Sequence, residues 1–301
     1  YIDAPQMDVC AEIALPDTFT LAGTGVEQAE DSDAHMRLWR INAENVHDFA
    51  LSFGRRWREY VRETASGVQI RCLLNARGKA NTVLDTAEDA VNTLEAWFGA
   101  LPFEQIDIVQ SDYAVGALTH TGCLWLNAET LSDRARLRRE LYYFFAQQYF
   151  GCSAYAEPSA DAWLSDAISE YLSYLILEEI DGHDAYLRAL NENIVPALQL
   201  TIPGGVNVVS DAALFDDADY RIVIRDRGAA VFHELRTAMG RDELLDGLRR
   251  FYALGQQRDV LTEMDLLHSL NDASGRDWEN FLTDWVFNIG DYVNQQIDFL
   301  D

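Results

Sequence analysis

Positive charge is the scarcest feature of this sequence. Lys and Arg together number 23 against 50 Asp and Glu, and Lys79 is the single lysine. The formal charge of −27 excludes nucleic acid and anionic membrane surfaces as favourable partners, because like charges repel. Such a composition is typical of a solvated acidic surface. The skew from lysine to arginine fits either a GC-rich or a salt-adapted genome.

Cysteines and long apolar runs are also few. The four cysteines are Cys10, Cys72, Cys123 and Cys152, and none forms the Cys-x-x-Cys pair of a thiolate metal site. Their scatter is typical of buried thiols and indicates no disulfide. No stretch is long enough to span a bilayer or to serve as a signal peptide, so we expect a soluble segment without membrane insertion.

Apolar residues nevertheless make up 49% of the chain, which is enough to bury a sizeable core in one large domain or two. The first residue is Tyr rather than Met. We interpret this as a processed chain or as a segment of a longer secreted or membrane-anchored protein, and the compartment stays open.

The first 75 residues favour strands, because apolar and polar residues alternate in short segments bounded by turn residues. No helix-length periodicity interrupts them. The predicted strands lie at 7–13, 18–23, 35–41, 46–53 and 68–74.

The next segment mixes a helix with strands. A helix is predicted at 83–99, capped by Asp85 or Thr86, because its apolar residues recur at helical spacing. A buried strand follows at 106–110, and a second strand at 115–127 is expected to lie at a sheet edge.

The remainder of the chain is predicted to be mainly helical. Two long helices are expected at 133–150 and 160–179, the first ended by Gly151. Residues 180–220 are predicted to form an irregular loop. The last predicted helices are 226–239, 241–253, 262–271 and 278–288, with glycines between them.

The two central helices carry a recognisable pattern. Its residues are Ala146, Gln148, Phe150, Gly151, Trp163, Leu164 and Tyr171. The pattern resembles that of the zinc aminopeptidases of the gluzincin type, which carry His-Glu-Leu-Ala-His-Gln-Trp-Phe-Gly and then Trp-Leu-Asn-Glu-Gly-Phe-Ala-x-Tyr. Eighteen residues lie between Gln147 and Asp166, as between the second His and the ligand Glu of that family.

The resemblance implies a zinc site, but the zinc donors are absent. The two ligand histidines fall on Tyr143 and Gln147, the general-base Glu on Phe144 and the third ligand on Asp166. Zinc needs imidazole, thiolate or carboxylate ligands, and phenylalanine accepts no proton. We therefore expect no zinc and no other cofactor. The aromatic run at 142–145 is expected to fill the space that a metal would leave.

Two further functional positions of the family are occupied in this sequence by residues that do not suit the function. The resemblance places the Glu that grips the substrate's amino terminus at Thr119, which forms no ion pair with an ammonium group. It places the Tyr that stabilises the tetrahedral intermediate at Arg225. Thr119, His120 and Glu170 are the candidate residues of the former substrate cleft.

The resemblance also implies a fold. We expect an α+β chain with a thermolysin-like (gluzincin) catalytic-domain fold, a partial N-terminal β-sheet domain and a mostly helical C-terminal lobe. Residues 1–75 would end an N-terminal β-rich domain. Residues 76–301 would form the peptidase-homology domain, with a small mixed sheet at 76–130 and helices at 131–290.

Other placements of the zinc motif are weaker. A shift by one helical turn makes Glu140 the base but supplies no histidine, so Glu140 is interpreted as a solvated helix residue. His233-Glu234 is half a motif, because Thr237 occupies the i+4 position where the second histidine should lie. A packing or surface role is predicted for His233.

Asp166 and Glu170 are four residues apart on one helix, and buried carboxylates need partners. Without histidines to share a metal, we expect Asp166 to hydrogen-bond with Gln147, Tyr143 or Arg225. Such a network would replace metal coordination.

Two functions follow from different classes of protein. The favoured one is a catalytically inactive homologue of a zinc aminopeptidase that binds a peptide or protein in the former cleft, or acts as a scaffold. The alternative is an active metallo-aminopeptidase-like hydrolase with a rearranged site. That site would be built from His120, Asp166, Glu170 or His233.

Overall fold

Strands and helices separate along the chain. The computed structural model describes residues 6–32, 35–75, 78–112, 116–156, 161–200 and 205–288. The chain divides into an N-terminal unit, Ile2–Gln148, and a C-terminal unit, Tyr149–Asp301. The described strands lie in the N-terminal unit and helices make up most of the C-terminal unit, so the α+β class is confirmed.

The described strands form three sheets. The strands are β1 Met7–Pro16, β2 Thr20–Gly23, β3 Val26–Ser32, β4 Met36–Val46, β5 Leu51–Gly54, β6 Arg58–Glu63, β7 Gln69–Leu74, β8 Gln105–Gln110, β9 Ala117–His120 and β10 Cys123–Leu126. One sheet has the order β1-β4-β3, a second pairs β2 with β5, and the third has the order β6-β7-β8-β10-β9.

The five-stranded sheet is mixed and is built around β8. This strand runs parallel to both β7 and β10, and five of its six residues are buried, as expected for a central parallel strand. Strands β6 and β7 precede residue 76, so this sheet crosses the predicted boundary between 1–75 and 76–301. The division into those two domains stays a prediction.

The prediction of one continuous strand at 115–127 is wrong, because the segment contains two strands. Strands β9 and β10 pair antiparallel, with His120 opposite Cys123. Gly122 lies in the turn between them at a φ of 66°, a left-handed conformation that favours glycine. The predicted edge position is found in β9, the last strand of the mixed sheet. Strands β3 and β6 were not predicted, because polar and charged residues together dominate their sequences.

The helices agree more closely with the sequence pattern. They are α1 Ala80–Phe98, α2 Ala128–Ser132, α3 Arg134–Tyr149, α4 Ala162–Asp181, α5 His183–Gln199, α6 Asp217–Tyr220, α7 Gly228–Met239, α8 Arg241–Gly255, α9 Glu263–Ser274 and α10 Glu279–Asn288. A π-helix at Arg221–Arg227 joins α6 to α7. The two central helices and the four C-terminal ones are confirmed to within a few residues.

The start of α1 corrects its predicted cap. The helix begins at Ala80, and the N-cap residue is Lys79. Asp85 and Thr86 therefore lie inside the helix rather than at its end. The Thr86 hydroxyl donates to the backbone carbonyl of Thr82 at 2.8 Å, the i−4 hydrogen bond that a helical threonine commonly makes.

Helix α5 corrects the predicted loop at 180–220. Its buried Tyr186, Leu190 and Ile194 recur every fourth residue and form one apolar face. Pro196 lies inside the helix, and a proline at that place normally argues against a helix. The packing of the apolar face outweighs that local preference.

Helix α4 is the centre of the C-terminal unit. It packs against α5, α7 and the π-helix, and almost every residue of its first fifteen is buried. A helix that is buried on all sides must satisfy any polar side chain it carries from its neighbours. Asp166 and Glu170 are such side chains.

Candidate functional site

Two buried carboxylates on α4 form the centre of the candidate site. Asp166 is 3% exposed and Glu170 is 0% exposed. Their spacing of four residues puts both on one face of the helix. A carboxylate that is withdrawn from water this completely is tolerated only when hydrogen bonds or a cation compensate it.

Each carboxylate has a partner within the C-terminal unit. The Tyr220 hydroxyl donates to Oδ2 of Asp166. The Arg225 guanidinium donates through Nε to Oε2 of Glu170. The Tyr174 hydroxyl donates to the other oxygen of Glu170, Oε1, at 2.5 Å. These are charge-assisted hydrogen bonds, which are the stronger kind.

The π-helix explains why Tyr220 and Arg225 face the same helix. The two residues are five apart, and in a π-helix the hydrogen bonds run from i to i+5. Residues at this spacing are then about one turn apart, whereas in an α-helix they diverge around the axis. Tyr220 and Arg225 are therefore about one turn apart, as Asp166 and Glu170 are on α4.

The expected partners of Asp166 were Gln147, Tyr143 and Arg225, and pairing of Asp166 with one of them stays a prediction. One partner that the structure shows is Tyr220, and Arg225 pairs with Glu170. Sequence reasoning missed Tyr220 because a spacing of five residues has no meaning in an ordinary α-helix. Tyr174 could have been found, since it lies four residues after Glu170 on the same helix.

The three positions on α3 belong to the N-terminal unit. Tyr143 is 7% exposed and Phe144 is fully buried. The Gln147 side-chain amide donates to the Tyr143 hydroxyl at 2.7 Å, across one helical turn. Phe144 packs edge-on against Phe145 at 5.0 Å between ring centroids. The aromatic run is part of the core.

Glu140 corrects a prediction. It is 7% exposed, so it is a buried residue of α3 rather than a solvated one. The Arg139 guanidinium lies 3.9 Å from the Glu140 carboxylate. The apolar residues around it explain the burial, because Leu141 and Phe144 in the same helix are fully buried.

His120 and Thr119 lie on the edge strand β9, also in the N-terminal unit. The His120 ring pairs through Nδ1 with Asp48 Oδ2 at 2.8 Å and packs on Trp125 with 4.8 Å between centroids. Asp48 also accepts hydrogen bonds from the backbone N–H and the hydroxyl of Thr121. Burial opposes ionisation, yet these hydrogen bonds hold the pKa of Asp48 below its ordinary value.

His233 on α7 lies in a separate network of the C-terminal unit. Its Nδ1 is 2.6 Å from the Tyr186 hydroxyl, and Tyr186 is 3.0 Å from the Tyr171 hydroxyl. Burial, with the nearby Arg236 cation, lowers the pKa of His233 to about 4. The Arg236 guanidinium makes a bidentate pair with Glu178 at 2.7 and 2.9 Å.

The residues at the family's zinc positions do not fit a zinc ion. A phenol, an amide and one carboxylate are a poor donor set. Gln147 is already hydrogen-bonded to Tyr143, and Asp166 to Tyr220. Within the described ranges, no group of three or more His, Cys, Asp or Glu side chains is arranged to hold a metal ion.

Three of the four cysteines match the expectation of buried thiols. Cys72, Cys123 and Cys152 are buried and Cys10 is exposed, and none of these four forms a disulfide. Burial raises the pKa of the Cys72 and Cys123 thiols above the ordinary value, so these thiols are protonated and unreactive. The exposed position of Cys10 on β1 corrects the prediction for that residue.

No helix in the described part of the chain has both the length and the apolar character needed to cross a bilayer.

The comparisons with known proteins support an aminopeptidase-like relationship. One curated protein that matches is Aminopeptidase N of Lactococcus lactis subsp. lactis, which is 20% identical over 315 residues. The match covers 95% of this chain but 36% of that protein, so the chain spans about a third of its relative's length. No family model matches the chain.

Proposed function

We propose that this chain is a catalytically inactive homologue of a zinc aminopeptidase that binds a peptide or protein segment, or serves as a scaffold. The proposal includes the thermolysin-like fold and the assignment of 76–301 to a peptidase-homology domain. The distant similarity to Aminopeptidase N and the α+β architecture support it.

One observation supports the proposed lack of peptidase activity. Both carboxylates of α4 are engaged by protein groups, Asp166 by Tyr220 and Glu170 by Arg225 and Tyr174. A carboxylate that already accepts hydrogen bonds from protein donors does not need a metal ion to compensate its charge. Phe144, at the position of the general base, is fully buried and has no group that accepts a proton.

The edge strand β9 supports peptide binding. Among the strands described, β9 pairs only with β10, so one side of it offers backbone groups to an added strand. Leu118 on this strand is 44% exposed. We expect an extended peptide to pair along β9, with the apolar Leu118 beside it.

The test combines an activity assay with a binding assay. Aminoacyl fluorogenic substrates should not be cleaved above the rate of a blank, with or without added zinc, while a broad library of labelled peptides should contain binders. Leu118→Asp should weaken that binding. Val61→Asp is the matched control, since Val61 is 49% exposed on the opposite edge strand β6.

Zinc-dependent cleavage would contradict the inactive state. If no peptide binds, peptide recognition is wrong and only a scaffolding role remains. Equal effects of the two substitutions would remove β9 as the binding edge.

The alternative, a hydrolase with a rearranged metal site, has no such support. It would build its metal site from His120, Asp166, Glu170 or His233. Each of these side chains has partners of its own among the described residues, which are Asp48, Tyr220, Arg225 with Tyr174, and Tyr186 respectively.

A further inference from the structure

The residues of this chain do not fit the zinc ion of the family that it resembles. The question is which positive charge compensates the buried carboxylates of α4. Glu170 is fully buried beside a second buried carboxylate, Asp166, and two such groups normally need a cation nearby. The charge of a metal would satisfy that need in a zinc enzyme. Here the protein itself supplies a cation, the guanidinium of Arg225.

Arg225 suits that role in its burial and its geometry. Its side chain is 12% exposed, while the Glu170 side chain is fully buried. An arginine stays charged under all ordinary conditions, so the positive charge is permanent and needs no ion from solution. The Tyr174 hydroxyl satisfies the remaining oxygen of Glu170.

The π-helix holds the arginine in place. Tyr220 precedes it and Arg225 lies within it, and the two contact points on α4 are one turn apart. A hydroxyl at one point and a guanidinium at the other fix the register of the π-helix against α4. Two charge-assisted contacts therefore stabilise this uncommon helix type.

We propose that Arg225 is the built-in counter-cation of this site. Its guanidinium binds Glu170 directly and brings a positive charge of the protein's own to the two buried carboxylates of α4, and the π-helix positions that guanidinium against Glu170. The assignment rests on the contacts within the C-terminal unit, whether or not the chain binds a peptide.

A double-mutant cycle tests the pair. Arg225→Ala should raise the equilibrium constant of unfolding by roughly 100- to 1,000-fold, because it removes the guanidinium that pairs with the buried Glu170 carboxylate. Glu170→Gln should also destabilise. The double variant should be much more stable than the sum of the two losses predicts, since Tyr174 can still donate to the glutamine carbonyl.

A second arm supplies the missing cation from solution. Methylguanidinium, at concentrations far below those that denature, should raise the unfolding temperature of Arg225→Ala relative to equal sodium chloride. It should have no such effect on the wild type or on Arg221→Ala. Arg221 is the matched control, because it lies in the same π-helix, is 38% exposed and is 3.7 Å from Asp226.

The outcomes separate cleanly. Strictly additive losses in the cycle, or an Arg225→Ala variant no less stable than Arg221→Ala, would overturn the proposal. If Arg225→Ala does not fold, the double variant decides. Recovery of a folded double variant supports the charge pair, and failure of the double variant while Arg221→Ala folds contradicts it. Peptide binding is measured separately, so either proposal can fail alone.

Discussion

Single side chains determine what the buried carboxylates of α4 can do. The resemblance drew attention to Arg225, at the position of the family's tyrosine, but the contact of Arg225 with Glu170 was not predicted. Tyr220 was missed, because its approach to Asp166 depends on the π-helix. Residue types at motif positions could be compared from sequence. Which carboxylate each partner binds could not be predicted, because that depends on how the π-helix packs against α4.

Removing one hydroxyl tests the Asp166 contact. Tyr220→Phe should lower the free energy of unfolding by about 1–3 kcal/mol, because it leaves one oxygen of a buried carboxylate without its donor. Urea denaturation of the variant and the wild type measures the change. An unchanged midpoint would show that this hydrogen bond contributes nothing to the folded state.

His233 predicts a pH dependence of stability. Its folded pKa of about 4 lies below the ordinary value, so the folded state disfavours the protonated ring. The contribution of His233 to stability is therefore complete above pH about 6.5 and is lost as the pH falls through about 4, at a cost of about 2–3 kcal/mol.

The measurement compares the wild type with His233→Gln across that range. The variant keeps a polar group for Tyr186 but does not titrate. Its stability should fall less steeply than that of the wild type between pH about 6.5 and about 4. Parallel curves for the two proteins would show that His233 is not the titrating group.

The elements differ in how far their sequences specify them. Helices α3, α4 and α7 to α9 were predicted because apolar residues recur at 3.6-residue spacing over several turns. Helix α5 was missed because Pro-Gly-Gly at 203–205 and the acidic run at 211–219 led to the whole segment 180–220 being predicted as a loop. The turn at Gly122 was missed because both strands of the hairpin are short and apolar.

The π-helix makes a specific prediction about deletions. Removing Ile222 would leave Tyr220 and Arg225 four residues apart, which is the spacing at which an α-helix presents two side chains on one face. We expect this deletion to keep cooperative unfolding, with both contacts to α4 retained. Deletion of Ala230 from α7 should abolish cooperative unfolding, because the buried residues that precede Ala230 in the helix would rotate away from the core.

Circular dichroism during heating distinguishes the two deletions. If both deletions abolish cooperative unfolding, the π-helix is required for a reason other than the spacing of Tyr220 and Arg225 against α4. A deletion of Ile222 that unfolds the chain while Tyr220→Phe leaves it stable would point to the same conclusion.

At the scale of the whole molecule, the net charge of −27 predicts a strong response to salt. Raising the ionic strength from about 0.01 M to about 1 M shortens the screening length from about 30 Å to about 3 Å. Repulsion within the folded chain then weakens. We expect the unfolding temperature to rise with sodium chloride over this range. A fall would show that ion pairs such as Arg236–Glu178 outweigh the net repulsion.

Metal content tests the central claim most directly. The protein is purified, dialysed without a chelator and analysed for its elements. The resemblance places the zinc ligands at Tyr143, Gln147 and Asp166, and Asp166 is engaged by Tyr220. We therefore predict far less than one zinc per chain. One tightly held zinc per chain would contradict the account, and Asp166, together with His120 and His233, would then be the first residues to mutate.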